Sequence, residues 1–364
     1  MINISAPIIT EKDIKDISEV LRSGMIAGGP KVSELEKEFA SYCGTEYAIA
    51  VNSGTAALHC ALYALGVKKN DEVITTPFTF VATANPILMQ NAKIVFADID
   101  EDTFCIDPKE VEAHITPATK ALLPVSLYGR PFDQSLQEIA KTNNLKILDD
   151  AAQSIGAKVE NNMAGNLADI SAFSLYATKN IMCGEGGMLT TNDPDLNELC
   201  RRFRHHGQSE QTQYEYADIG YNYRMTDILA ALALNQIKTV EEITEKRNEN
   251  AKKLSQGLEK IEGITVPSIE ANTRHAFHQF TIRVMPEFKL NRDELKSHLQ
   301  EHGIGSGIYY PKPLHLHPHF KNLGYKEGDF PVAERVAKEV LSLPVHPSLS
   351  PEDIEKIIET IKNI

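Results

Sequence analysis

Short apolar runs alternate with amphipathic stretches along the first 235 residues of the chain. Residues 31–42 carry apolar side chains at helical spacing, and the apolar run 47–51 leads through a turn into a second helical stretch. The pattern predicts helices at 31–42, 56–66, 80–90 and 134–143. It predicts strands at 47–51, 71–77, 93–100, 119–127, 145–150, 170–175 and 187–192.

This alternation predicts an α/β fold with a mostly parallel sheet. Strands that alternate with helices are joined by right-handed crossovers, which place helices on both faces of the sheet. In such sheets ligands bind outside the carboxyl ends of the strands. The residues that follow each predicted strand are therefore the first candidates for a functional site.

The pattern changes after about residue 235. The remaining elements are predicted as a long helix, a strand, a helix, a strand and a final helix, at 237–261, 277–284, 292–303, 307–310 and from 351 onward. Ser350 and Pro351 open the last helix as N-cap and first-turn proline. We therefore expect a large domain at 1–235 and a smaller α+β domain at 236–364, with the first 30 or so residues packing on either one.

Composition narrows the functional class. The 364 residues are 42% hydrophobic and 24% charged, which is typical of a globular protein of about two domains. Fifty acidic residues against 37 basic ones give a formal net charge of −13. Nucleic acids and anionic membranes attract basic surfaces, so we expect neither as a partner. No apolar run is long enough to predict a membrane-spanning helix.

The cysteines indicate a reducing environment. They are odd in number and scattered, without a Cys-x-x-Cys pair, at positions 43, 60, 105, 183 and 200. This distribution favours reduced thiols over a disulfide framework or a zinc site. The N-terminal residues also lack the apolar segment of a secretion signal, so we expect a cytoplasmic protein.

Residues 52–55, Asn-Ser-Gly-Thr, lie between a predicted strand and a predicted helix. Small residues there let backbone N–H groups and hydroxyls reach an anion at the helix N-terminus. Ordinary N-capping is the alternative, since Ser and Thr are common caps. The stretch therefore predicts either a phosphate site or a capped helix.

Asp149 and Asp150 end the predicted strand at 145–150. Two carboxyl groups at the mouth of a buried strand are costly unless a cation accompanies them. That cation could be a metal or a protonated ring nitrogen. In the alternative, one Asp is solvated and the other caps a helix.

The predicted strand at 170–175 carries Ser174 near its end, a short loop after it carries Lys179, and a glycine-rich stretch follows at 184–187. A lysine held over the end of a sheet, near glycines that allow close backbone approach, suits Schiff-base chemistry. A surface lysine is the commoner alternative.

Two further motifs are less specific. Residues 220–225, Gly-Tyr-Asn-Tyr-Arg-Met, suit recognition of an anion or of a neighbouring subunit, or simply lead into a helix. His315, His317 and His319 are a weak metal candidate, because no Cys or acid stands at ligand spacing nearby. We therefore predict no metal site. A dinucleotide fingerprint is also missing, which disfavours a nicotinamide oxidoreductase.

Taken in chain order, these motifs resemble the DegT/StrS family of sugar aminotransferases, pyridoxal-phosphate enzymes of the aspartate-aminotransferase fold. The resemblance spans about residues 20–348, in the stretches NSGTAAL, DEVITTPFTFVATANPI, ITPATKALLPVSLYGRP, LDDAAQSIGA, FSLYATKNIMCGEGGMLTTND, HHG, IGYNYRM, YYPKPLH and SLPVHP. It implies pyridoxal 5'-phosphate (PLP) as the cofactor and a large α/β domain followed by a smaller one.

The resemblance also implies roles around the cofactor ring. Lys179 matches the lysine that binds the cofactor as a Schiff base, and Asp150 matches the acid that pairs with the pyridinium nitrogen. Such an acid keeps the ring nitrogen protonated, and a released lysine can transfer protons as general base and acid. Gln153 matches the glutamine near the phenolic oxygen, and Phe80 the aromatic residue that stacks on the ring.

Further matches concern the phosphate and the subunits. Gly54, Thr55 and Ser174 match phosphate-binding residues. Asn222 matches an asparagine that reaches the phosphate of the neighbouring subunit, which implies a homodimer with shared active sites. Two positions have no such role: Asp149, where the family often has Glu, is expected to lie behind Asp150, and Cys183 is assigned no function.

For the reaction, the resemblance implies a ping-pong transfer of an amino group from glutamate to a ketone of a nucleotide-linked sugar. Arg224, Tyr310 and Lys312 are the residues we expect to bind that sugar nucleotide. Relatives that carry His in place of Lys179 dehydrate ketosugars, so the lysine favours transamination. A non-catalytic regulator on this fold would be expected to lose Lys179 or Asp150, or to gain a DNA-binding segment, and this chain does neither.

Overall fold

The computed structural model describes residues 1–209 and 214–364. Its α-helices are α1 (Glu11–Ser23), α2 (Pro30–Cys43), α3 (Gly54–Ala64), α4 (Val81–Met89), α5 (Pro108–Ala113), α6 (Ser135–Thr142), α7 (Pro194–Arg204), α8 (Asp227–Lys238), α9 (Val240–Leu258), α10 (Arg292–Glu301), α11 (Pro318–Lys321), α12 (Pro331–Glu339) and α13 (Pro351–Lys362). Its strands are β1 (Tyr47–Val51), β2 (Glu72–Thr75), β3 (Lys93–Phe96), β4 (Thr119–Leu123), β5 (Lys146–Asp150), β6 (Lys158–Val159), β7 (Asn162–Met163), β8 (Ile170–Ser174), β9 (Gly187–Thr191), β10 (Ile264–Thr265), β11 (Thr273–Arg274), β12 (Phe280–Val284) and β13 (Val340–Leu343).

The main sheet has seven strands in the order β1-β9-β8-β5-β4-β2-β3. Strand β9 pairs antiparallel with both of its neighbours, and every other pairing in the sheet is parallel. Its strands are almost entirely buried, as expected for a sheet that helices cover on both faces. The predicted α/β class with a mostly parallel sheet is confirmed.

Among the apolar clusters that hold this sheet between its helices, two pack around the strands that carry the site. One contains most of the buried residues of α3, which is apolar around nearly its whole circumference and is therefore a core helix. The other joins α2 and α8 to β1, β8 and β9. Because α3 and the strand ends are fixed by this packing, the residues at the carboxyl edge of the sheet hold defined positions.

The C-terminal part of the chain has its own core. The antiparallel sheet β10-β12-β13 packs with α9, α10 and α13 into a cluster that also contains Ile2. Strand β11 pairs with β6 of the first part, so the two parts of the chain are also linked by backbone pairing. The N-terminal residues contact both parts, because Ile2 bridges Ile304 while α1 packs on α8. The domain boundary at residue 235 stays a prediction.

Two predicted elements differ from the structure. The helix predicted at 237–261 forms as α9 but begins only at Val240, because residues 237 and 238 end α8 and the helix breaks at Thr239. There the Thr239 hydroxyl donates to the carbonyl of Gln236, a local bond that competes with helix continuation. The predicted strand at 307–310 is reduced to one antiparallel bridge between Gly307 and Ser342, because the residues that follow turn toward the main sheet.

The final helix forms as predicted. Ser350 Oγ accepts a hydrogen bond from the Asp353 N–H, the Asp353 carboxylate accepts one from the Ser350 N–H, and Pro351 occupies the first turn. Across the described ranges, none of the helices is both long enough and apolar enough to cross a lipid bilayer.

Candidate active site

Asp150 lies at the carboxyl end of β5, between β4 and β8. Its Oδ2 accepts a 2.7 Å hydrogen bond from the Thr83 hydroxyl, and its Oδ1 accepts one of 3.2 Å from the Ala152 N–H. Burial raises the pKa of this carboxyl above its usual range, against the lowering effect of the two hydrogen bonds and of the Lys179 charge. A buried carboxylate so placed favours a cationic partner.

Lys179 lies in the loop after β8. This loop closes on itself, because the Ala177 N–H donates to the Gly184 carbonyl and the Lys179 N–H donates to the Tyr176 carbonyl. Gly184 has a φ of +92°, a conformation that favours glycine. Burial lowers the pKa of the Lys179 ammonium group to about 8, although the Asp150 charge acts in the opposite direction.

Asp149 lies behind Asp150, with its side chain completely buried. Its Oδ1 accepts a 2.8 Å hydrogen bond from the Ser126 hydroxyl, whereas its Oδ2 has no hydrogen-bond partner. Burial raises the pKa of Asp149 to about 8, so this carboxyl holds a proton near neutral pH. It therefore differs from Asp150 in its surroundings, since Asp150 accepts two hydrogen bonds and Asp149 accepts one.

The predicted phosphate-binding residues lie together where β1 and β8 end. A Cβ on Gly54 would come within 2.9 Å of the Ser174 Cβ, so only glycine allows this approach without a shift. Gly54 and Thr55 begin α3, whose first N–H groups have no partner within the helix. Ser53 is the N-cap and accepts from the Ala56 N–H, so capping and an anion site coexist here.

Aromatic residues flank the site on one side. The rings of Phe80 and Tyr310 stack with centroids 6.1 Å apart, and 56% of Phe80 is exposed. Gln153 Nε2 donates to the Tyr310 hydroxyl at 3.4 Å, and Gln153 Oε1 accepts from the Tyr128 N–H at 2.8 Å. The structure thus brings Phe80, Gln153 and Tyr310 together beside Asp150, whose charge raises the pKa of Tyr310 together with burial.

The loop at 220–225 is anchored to the end of β1. The Asn52 N–H donates to the Tyr223 carbonyl, and Asn52 Nδ2 donates to the Asn222 carbonyl at 3.3 Å. The Asn222 side chain is exposed. Arg224 donates to His205 Nδ1 at 2.6 Å and lines an open cavity of about 540 Å³.

The predicted sugar-binding residues do not form one cluster in this chain. Arg224 lies at the open cavity, Tyr310 beside Gln153, and the exposed Lys312 contacts His317 only through its carbonyl among the described contacts. His315 is buried and hydrogen-bonded to Glu334 at 2.8 Å. In residues 1–209 and 214–364, no group of three or more His, Cys, Asp or Glu side chains could hold a metal ion.

Sequence reasoning missed three residues near Asp150 and Lys179. Thr83 was one of them, although it lies in the first turn of a helix that follows a strand, within hydrogen-bond distance of the Thr79 hydroxyl just before that helix. His278 and Arg247 come from the C-terminal part. Burial is the main cause that lowers the pKa of His278, and the charges of Lys179 and Arg247 lower it further. No sequence signal placed these two residues beside a lysine so far away in the chain.

The site fits PLP on its own geometry. The close approach of Gly54 to Ser174 places a hydroxyl beside the first N–H groups of α3, a set of donors that suits a phosphate. Burial opposes the charged forms of both Asp150 and Lys179. A ring with a protonated nitrogen would give the Asp150 carboxylate a cationic partner. An aldehyde on the same ring would give the Lys179 amine an electrophile.

Comparison with known proteins agrees with this chemistry. The profile of the DegT/DnrJ/EryC1/StrS aminotransferase family matches residues 7–362. The spore coat polysaccharide biosynthesis protein SpsC of Bacillus subtilis is 40% identical over 374 residues, which cover 99% of this chain and 96% of the relative. GDP-perosamine synthase of Caulobacter vibrioides is 36% identical over 366 residues, covering 100% and 98% of the two chains.

One relative has a regulatory name. A "pleiotropic regulatory protein" of Geobacillus stearothermophilus is 43% identical over 349 residues, which cover 95% of this chain and 92% of the relative.

A solved structure extends the comparison to the fold. A protein of Streptococcus pneumoniae, provisionally named a sugar aminotransferase, was solved in its PLP form. It superposes with a TM-score of 0.94 at 30% identity, covering 100% of this chain and 98% of its own. With the family profile matched over nearly the whole chain, this protein belongs to the DegT/DnrJ/EryC1/StrS family of PLP-dependent aminotransferases.

Proposed function

We propose that the protein transfers an amino group from glutamate to the keto carbon of a nucleotide-linked sugar in a ping-pong reaction. The observation that carries the proposal is that Lys179 and Asp150 lie at the carboxyl edge of the sheet, close enough for each charge to shift the pKa of the other, in a chain of this family. When bound, PLP acts as an electron sink that lets an amino group and a proton move between two carbons.

In this proposal the phosphate is held by Gly54, Thr55 and Ser174. The N-terminus of α3 offers N–H groups and a favourable dipole, and the Ser174 hydroxyl can donate because it only accepts, from the Tyr176 N–H, in the described structure. The chain carries a net charge of −13, so a dianion depends on such local donors.

Asp150 and Gln153 would orient the ring. The Thr83 and Ala152 hydrogen bonds favour the carboxylate form of Asp150, which in turn favours a protonated ring nitrogen. Gln153 is fixed by the Tyr128 N–H, so its side-chain amide can present a donor to the ring's phenolic oxygen. Phe80, half exposed over the cleft, would cover one face of the ring.

Lys179 would hold the cofactor and then move the proton. A pKa of about 8 leaves a sizeable neutral fraction near neutral pH, so the amine can both accept and return a proton. A His at this position would accompany dehydration in related proteins, and the lysine therefore supports transamination.

The nucleotide-linked acceptor is supported by the relative named GDP-perosamine synthase. Within this chain, Arg224 at the edge of an open cavity is a candidate for a diphosphate, because guanidinium groups bind phosphate oxygens in pairs. Tyr310 and Lys312 are the candidates on the cleft side. Binding energy from the nucleotide would orient the sugar without acting on its reacting carbon.

A homodimer with shared sites completes the proposal. The loop from 214 to 221 exposes Tyr214, Tyr216, Ile219 and Tyr221, and clustered exposed apolar side chains are typical of an interface. The exposed Asn222 follows them directly and would reach the partner's phosphate group.

The acceptor assay tests the function. The enzyme is first converted to its amino form with glutamate, and return of the PLP absorbance is followed after adding either a nucleotide-linked ketosugar or the same sugar without nucleotide. We expect the nucleotide-linked sugar to react at least about 100-fold faster, since remote binding energy orients the ketone. Equal rates would refute the nucleotide-sugar acceptor, and no reaction with any acceptor would favour a regulatory role.

A further inference from the structure

A buried guanidinium lies close to Lys179 without a carboxylate partner. Arg247, on α9, is only 5% exposed, and it lines the same cavity as Lys179 and Asn180. Burial lowers the pKa of Arg247 to about 10, and no acidic group offsets that effect. In the described part of the chain, no ion pair includes this residue, in contrast to the paired buried Arg283.

The hydrogen bonds of Arg247 use one edge of its guanidinium group. Nη1 donates to the carbonyls of Phe277, at 2.9 Å, and of His278, at 3.5 Å. Nε is buried without a partner, and no bond from Nη2 to any described residue is found. Nε and Nη2 form the edge that binds a carboxylate with two parallel hydrogen bonds.

The surroundings of this edge are basic. Lys179 and His278 lie nearby, and the Arg247 charge helps to lower the pKa of His278 and of His346. Both histidines are therefore neutral near neutral pH, and neither competes as a cation. The nearby cavity has a volume of about 20 Å³, which is enough for about one water-sized group.

The N-terminal segment closes this cavity. Residues 5–8 line it, and Gln236 Nε2 holds the segment by donating to the Ile8 carbonyl at 3.1 Å. A ligand that reaches Arg247 is therefore shielded from water on this side. Charge-assisted hydrogen bonds are stronger in such a water-excluded position.

We propose that Arg247 binds the carboxylate next to the amino group of the donor, and so selects amino acids over amines that lack this carboxylate. The reacting nitrogen must come to Lys179, and the carboxylate two bonds away would then enter the cavity that Lys179 and Arg247 both line. The inference rests on the proposed function for its donor, an amino acid such as glutamate. It assigns no role to Arg247 in binding the sugar.

The two half-reactions separate this role from a structural one. We expect Arg247→Gln to lower kcat/KM for glutamate by about 100-fold, because a buried charged hydrogen bond is lost. The reverse sugar half-reaction, started with a nucleotide-linked amino sugar, has no carboxylate at this position and should change by less than about threefold. Arg247→Lys should restore part of the glutamate rate, since a point charge replaces the fork.

Arg292 provides the matched control. It is also buried, and its Nη1 donates to two backbone carbonyls, those of Ala337 at 3.0 Å and Val340 at 3.4 Å. Arg292→Gln should lower thermal stability without changing the ratio of the two half-reactions. If Arg247→Gln, like Arg292→Gln, slows the glutamate and sugar half-reactions by the same factor, Arg247 is structural and the inference is wrong.

A binding measurement adds a readout without turnover. Glutarate, which is glutamate without its amino group, is titrated calorimetrically into the cofactor-loaded enzyme. We expect its dissociation constant to rise about 100-fold in Arg247→Gln, and an unchanged constant would overturn the inference. If that variant does not fold, a crystal structure of the wild-type enzyme with glutarate decides, since a carboxylate away from Arg247 also overturns it.

The outcomes distinguish the two proposals. A wild-type enzyme that reacts with glutamate but with no nucleotide sugar contradicts the proposed acceptor and leaves the Arg247 comparison intact. If another amino acid is the donor, the same comparison applies with that amino acid.

Discussion

The hydroxyl of Thr83 donates a 2.7 Å hydrogen bond to Asp150, and Thr83 itself lies 2.8 Å from the hydroxyl of Thr79. Since the Thr83 proton points to the carboxylate, Thr79 is the donor in the second bond. Two hydroxyls in series therefore favour the ionised form of a carboxyl group that burial would otherwise protonate. Through this hydrogen-bond relay from Thr79 to Thr83 to Asp150, α4 influences the protonation of Asp150.

Thr83→Val should raise the pKa of Asp150. The hydrogen bond lowers that pKa, so its loss leaves less carboxylate at a given pH and moves the acidic limb of the kcat/KM profile to higher pH. We expect about a tenfold loss at neutral pH, which corresponds to about 1–1.5 kcal/mol. Thr83→Ser keeps the hydroxyl and should retain the wild-type profile. A Val variant with an unshifted profile would contradict the relay.

Gly54→Ala should weaken cofactor binding. The added methyl group would meet the Ser174 Cβ at 2.9 Å and push apart two of the proposed phosphate ligands. We expect the dissociation constant of PLP, measured by fluorescence titration, to rise about tenfold or more. The double variant with Ser174→Gly removes the clash and should regain stability but not affinity. Full recovery of affinity would argue against a phosphate role for Ser174.

Asp149→Asn should change the pH dependence of stability. Burial raises the pKa of Asp149 to about 8, while the unfolded value is about 3.9, so folding takes up a proton between these values. Wild-type stability therefore falls as pH rises from about 4 to 8, whereas Asn cannot titrate.

The measurement for Asp149 is urea denaturation of the cofactor-free protein. The free energy of unfolding of Asp149→Asn, relative to wild type, should increase by about 2–4 kcal/mol between pH 5 and pH 8. Asp102→Asn, at an exposed position, serves as the control and should show no such trend. A difference independent of pH would mean that Asp149 is ionised in the folded protein.

Mixing two inactive variants should recover activity if sites are shared. Lys179→Ala lacks the proposed cofactor lysine, and Asn222→Ala lacks the proposed partner contact. Random exchange gives half heterodimers with one intact site each, which is about a quarter of wild-type activity. Subunit exchange is verified by mass spectrometry of differently tagged chains. No recovery despite exchange would show that each chain forms a complete site alone.

The sequence located the parts of the site that depend on strand ends. Asp150 ends one buried strand and Lys179 follows another, and the parallel sheet brings such positions to one edge. Thr83 and Arg247 escaped because their roles depend on how helices dock. The hydrogen bond of Thr83 to Asp150 requires α4 to dock near the end of β5. Arg247 lines a cavity with Lys179 only because two distant parts of the chain pack together.

The errors have the same physical origin. A helical period runs through Thr239, but a side-chain bond to Gln236 interrupts the backbone there. Residues 307–310 have the composition of a strand, yet Tyr309 and Tyr310 contact Tyr128 and Gln153 instead of extending the pairing. Tertiary contacts outweigh local preference at these positions.

The antiparallel strand β9 sets the order in which the site can assemble. Its Gly187 faces Val51 of β1 and Ser174 of β8 at once, so β1 joins the sheet only through a strand made about 140 residues later. During synthesis, β1 can pair into the sheet only after β9 has been made. A nascent chain that ends before β9 therefore cannot bring Gly54 to Ser174. The affinity for cofactor should then appear only after the whole sheet has formed, late in folding.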